Sequence, residues 1–158
     1  MNIPGRRGFF KLAASGLALF GASRASAETS PSRQYIKTPP AQKNSYSMAV
    51  VTQGGKTIWL AGDGAPFDPT GKSLAGDFDA QARQTFANLG HTLEKAGGKL
   101  SDMVWMIASI SDPQYERRFL DIRKEIFGDD FPASALRVVP VLLPAGMLVS
   151  VQGVAVVG

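Results

Sequence analysis

The chain has no cysteine among its 158 residues, which excludes disulfides, zinc–thiolate centres and thiol catalysis. It has one histidine, His91, and a single imidazole builds neither a metal centre nor a catalytic triad. No metal site is expected. The apolar run at residues 12–20 is well short of the roughly 20 residues that span a bilayer. A surplus of one charge is also missing from most of the chain. Four of the 17 basic residues and none of the 13 acids fall in residues 1–27, so residues 28–158 hold 13 of each. The pI of about 9.6 is therefore a property of the first 27 residues. Without a basic stripe in the remainder, nucleic acid is not an expected partner.

Those first 27 residues have their own pattern. Arg6-Arg7 precedes Phe9-Phe10-Lys11, an apolar run follows, and Ala25-Ser26-Ala27 closes it. A positive start, a short apolar centre and small residues at a cut define a secretory signal, and the arginine pair points to the twin-arginine route. The expected location is the periplasm, with no membrane attachment after cleavage. Residues 28–43, with Pro31, Pro39 and Pro40, read as a flexible leader, and residues 44–158 as one domain.

Within that domain residues 45–52 alternate as a strand, Gly54-Gly55 signals a hairpin, and residues 56–61 form the return strand. A turn-rich loop covers residues 62–76. Asp77 or Asp79 can cap a helix whose Ala82, Phe86, Leu89 and Leu93 make one apolar stripe before Gly97-Gly98. The nearly unbroken apolar run at 103–110 predicts a strand covered on both faces. Tyr115, Phe119, Ile122 and Ile126 mark a second helix, and strands are predicted at 135–142 and 148–157. The order is β-β-α-β-α-β-β, an α+β arrangement with two helices on one face of a mixed sheet. The strands carry Met48, Val50, Trp59, Val104, Met106, Val149 and Val151, more apolar surface than two helices cover. Self-association is the expected cover for the other face.

Several segments resemble one family in order and spacing. They are Ser45-Tyr46-Ser47, Ala61-Gly62-Asp63, residues 81–89 (QARQTFANL), the Phe131-Pro132-Ala133 turn and residues 149–154 (VSVQGV). Together they resemble the RidA (YjgF-type) family. The resemblance implies a chorismate-mutase-like fold and a homotrimer with a central β-barrel. It further implies ligand clefts between subunits and cofactor-free hydrolysis of reactive enamines and imines to keto acids and ammonia.

The resemblance also assigns positions. The family's carboxylate-binding Arg belongs immediately after Pro-Ala, where this chain has Ser134. Arg137, three residues later, either reaches the cleft in its place or serves as a surface or inter-subunit ion-pair residue. The family's water-handling Glu is Gln152 here. A Gln amide orients a water but takes no proton, and the other role open to it is satisfying backbone groups. Tyr46 matches a cleft-lining Tyr and Gly62 offers bare backbone to a ligand. Asp63 is either a replacement proton acceptor or a turn cap. Phe119 or Leu120 stands where the family has a cleft-facing Asn. Two functions stay open: an enamine/imine deaminase binding small carboxylate or carbonyl compounds, or a non-catalytic binding protein of the same fold.

Overall fold

The computed structural model describes residues 30–158, and the expected signal at 1–27 lies outside the described residues. Two helices carry the core. Asp77 caps α2 (Phe78–Lys95), its carboxylate accepting from the Ala80 N–H at 2.9 Å. Phe78, Ala82, Phe86, Leu89 and Leu93 recur at helical spacing and are buried. The helix ends where Gly97 takes φ 83° and the Gly98 N–H reaches back to the Leu93 carbonyl. α3 (Glu116–Phe127) follows Asp112, which caps a single 3₁₀ turn begun by Pro113, and ends at Gly128. Asp79 does not cap. It receives Arg118 of α3 at 2.7 Å on both oxygens, and that guanidinium holds its carboxyl below the usual range.

Both helices lie on a mixed four-stranded sheet in the order β3 (Lys56–Asp63), β6 (Val149–Val157), β4 (Met103–Ile110), β5 (Ala133–Val138). Only the β4–β5 pair is parallel. Met106, Ala108, Ile110, Val149 and Val151 face the helices and pack with Phe86, Leu89 and Phe119. Each of these side chains larger than alanine stabilises the fold by about 1.5–3 kcal/mol. Gly153 is required here, because a Cβ would sit 2.6 Å from the Trp105 carbonyl oxygen. The α+β sandwich expected from the sequence is the fold observed.

Two expectations fail. The leader is not without structure: it contributes β1 (Ser32–Ile36) and α1 (Pro39–Lys43). Pro39 and Pro40 fill the first turn of α1, where an absent N–H costs nothing, behind Thr38 as cap. Distant acids fix the segment, Asp102 with Arg33 at 2.9 Å and Asp130 with Lys37 at 2.7 Å. The hairpin at Gly54-Gly55 also fails as a pairing. Both glycines have φ near 74°, as a tight turn needs, yet β2 (Ala49–Gln53) pairs with β1 while β3 pairs with β6. Two residues ahead of β2, Ser47 makes a single parallel bridge to Ala133, the first residue of β5.

Candidate functional site

The sheet face away from the helices is uncovered in a single chain. Residues directly opposite one another share a face, and the registers place Trp59, Val154, Trp105 and Ala133 in one row across all four strands. Trp59 is 79% exposed and shares this row with the partly exposed Trp105, so the open face carries a contiguous apolar patch. The next row holds Gln152, Ile107 and Ala135, and the one after it Ser150, Ser109 and Arg137.

The residues expected at the site fall into two groups on this frame. Gly62 lies against Gln152: a Cβ on it would be 3.9 Å from the Gln152 Oε1. This group belongs to the β3–β6 side. Asp63, just past a bulge in β3, pairs with Val151 and accepts from the Asn88 amide of α2 at 3.3 Å. Its carboxylate is therefore engaged with the helix layer and not with Gln152. Tyr46 and Ser134 make the second group, at the β5 edge. They line a cleft of 560 Å³ shared with Met48, Val50 and Trp105, and a smaller cavity of 170 Å³ beneath α3. The two cavities meet at these two residues.

Arg137 and Gln152 stand two strands and one pleat apart, about 12 Å by strand spacing and rise. They do not share a water within one chain, and Arg137 is exposed. Phe119 is fully buried in the core against Phe86 at 5.9 Å, and Leu120 is the residue of that pair that lines the smaller cavity.

Sequence reasoning missed Arg123. It is 1% exposed, and its Nη2 donates to the Ser45 carbonyl and, at 2.8 Å, to the Ser134 Oγ. Burial pushes its guanidinium down to about 10, leaving it charged at neutral pH. Ser45 holds a left-handed φ of 56°, which turns its carbonyl onto the arginine. The signal was present: Arg123 is four residues from both Phe119 and Phe127, on the buried stripe of a helix otherwise charged outward. Among the described residues no cluster of His, Cys, Asp or Glu suits a metal ion, and no helix is long and apolar enough to cross a membrane.

The family described as Endoribonuclease L-PSP matches residues 36–157. The chain belongs to this family, the RidA group. A 2-iminobutanoate/2-iminopropanoate deaminase of Bos taurus is 30% identical over 128 residues, covering 80% of this chain and 91% of that protein. The solved structure of RidA from an Antarctic Psychrobacter is 31% identical with a TM-score of 0.57, covering 78% and 99%. A Rid protein of unknown function from Yersinia pestis, YyfB, superimposes better, with a TM-score of 0.71 over 79% and 98%. At 23% identity it bears on the fold alone. The RidA match begins at residue 36, so β1 lies almost wholly ahead of it.

Proposed function

We propose that this RidA-family chain hydrolyses small 2-imino or 2-enamino acids to 2-oxo acids and ammonia, in clefts completed by a second copy of itself. The observation that carries this reading is the division of the site. Gly62 and Gln152 lie at one side of the sheet, and Tyr46 and Ser134 at the other. β3 and β5 are about 14 Å apart across three strand spacings. Three copies closing their open faces into a central barrel cover the Trp59–Trp105 row and bring the first side of one chain to the second side of the next. The relatives named as 2-iminobutanoate/2-iminopropanoate deaminases supply the reaction class.

In the reaction, water adds to the C=N carbon and the carbinolamine collapses to the C=O product. A 2-enamino acid first tautomerises to the imine, and both protons of the water then pass to the nitrogen, one on addition and one on collapse, so that it leaves as ammonia. Gln152 would hold the water through its amide, donating and accepting at once. The Arg6-Arg7 pattern supports a periplasmic setting for this activity. A second reading, ligand binding without turnover, is favoured by one observation: Asp63, the nearest candidate to replace a missing general base, is held by Asn88.

The test is direct. 2-Aminoacrylate released in situ should give pyruvate faster with the purified protein than in buffer, and no acceleration ends the hydrolase reading. Trp59→Glu should yield monomers by light scattering and lose at least nine-tenths of the rate. A monomeric Trp59→Glu protein with full activity would refute the shared cleft.

A further inference from the structure

The guanidinium of Arg123 is the one buried charge of the described residues that no carboxylate meets. Arg33, the comparable case, has Asp102 at 2.9 Å. Arg123 instead has a carbonyl, a hydroxyl and the Phe119 ring at 5.6 Å, and its buried Nε has no partner among the described residues. A buried cation without a counter-charge is costly and persists where something else requires it.

The surroundings say what that is. Glu116, Leu120 and Arg123 recur at i, i+4 and i+7, which sets them on one face of α3 above the 170 Å³ cavity. Leu120 and Leu136 make its walls apolar, Tyr46 and Ser134 give it hydroxyls, and Glu116 is exposed at the helix start. Glu116 makes no ion pair with Arg123. Tyr46 and Ser134 line both this cavity and the larger cleft beside it. Nη2 spends both its hydrogens on the Ser45 carbonyl and the Ser134 hydroxyl, which leaves the Nη1 and Nε donors. A carboxylate is the group that meets such a charged donor in a short, charge-assisted hydrogen bond.

We infer that Arg123, delivered from α3 and aimed by Ser134, is the carboxylate anchor of the cleft. The ligand class is accordingly a small 2-oxo or 2-imino carboxylate and not a neutral carbonyl compound. This rests on the reading of the cleft as a ligand site, but not on turnover. Arg137, exposed on the other face of β5, is not the anchor.

The experiment is a titration of the full-length protein with 2-oxobutanoate, followed by chemical shift or calorimetry, with 2-butanone as the uncharged control. Saturable binding of the acid and none of the ketone is expected. Ser134→Ala, which leaves the Arg123–Ser45 contact intact, should weaken the acid about 3- to 10-fold, Arg123→Lys about 10-fold, and Arg123→Met beyond detection. Arg137→Ala should bind as the unaltered protein does.

Equal binding of acid and ketone, no saturable binding of the acid, or unchanged affinity in Ser134→Ala and Arg123→Lys overturns the assignment. If Arg123→Met does not fold, those two milder variants decide. Arg123-dependent binding without any pyruvate formation from 2-aminoacrylate would end the hydrolase reading and leave the anchor standing. Turnover with an unchanged KM in both milder variants would do the reverse.

Discussion

Gln81→Leu is expected to lower the unfolding free energy by about 3–5 kcal/mol, since each unpaired buried backbone group costs about 1–3 kcal/mol. Gln81 is fully buried on α2, and every polar atom of its amide is used. The Nε2 donates to the Leu74 carbonyl at 3.0 Å and the Gly146 carbonyl at 2.8 Å, and the Oε1 accepts from the Leu148 N–H at 2.8 Å. One side chain thus ties the loop after β3 to the turn before β6. Leucine matches its volume, so the loss isolates the hydrogen bonds from cavity formation. Gln81→Glu should be no better, because a carboxylate would face two carbonyl oxygens. Chemical denaturation measures the difference, with a fall in melting temperature of about 10–20 °C alongside it. A loss below about 1 kcal/mol would mean that water replaces the amide without penalty. The site should feel the change too, because the Gln81-tied turn carries Met147, which packs at Gly64 beside Gly62 and Asp63.

Gln152→Glu is expected to raise the rate of 2-aminoacrylate hydrolysis by about 10²-fold, the low end of what a positioned general base supplies. The substitution keeps shape and reach and adds the one capacity the amide lacks, that of taking a proton from water. Gln152 is exposed on the open face beside Gly62, so the new carboxylate stays solvated in one chain and ionised at neutral pH. The measurement is kcat across pH, with a rising limb near the carboxylate range in the variant alone. An unchanged rate would place water activation elsewhere and favour the binding-only reading.

The elements that set the fold were legible because their signals are local. The apolar stripe of α2, the caps at Asp77 and Asp112, and the run that forms β4 each lie within a few turns of chain. The uncovered sheet face was legible as surplus apolar surface, although which residues lie on it required the registers. β1 and α1 were not legible. Two prolines in a row read as a breaker, while the contacts that order the segment reach to Asp102 and Asp130, 69 and 93 residues away. The hairpin was misread for a related reason: a glycine pair predicts the turn, not which strand accepts the hydrogen bonds.

The site was half legible. Tyr46, Ser134, Gly62 and Gln152 fall at two cavities or beside one another, whereas Arg137 follows the recognisable Phe131-Pro132-Ala133 turn in sequence but is exposed on the other face of β5. Arg123 lay hidden among the charges of residues 116–125, where only its coincidence with the Phe119–Phe127 stripe distinguishes it.

The placement of Gln152 and Ser134 on opposite sides of one sheet bears on how such an assembly tolerates damage. On the proposed arrangement, a chain with a broken β5 edge would still lend a sound β3–β6 side to its neighbour, and the converse would hold. Two differently defective chains mixed together in a closed ring would then retain some intact clefts, whereas either alone would retain none. Injury would be pooled among copies instead of being confined to the molecule that carries it.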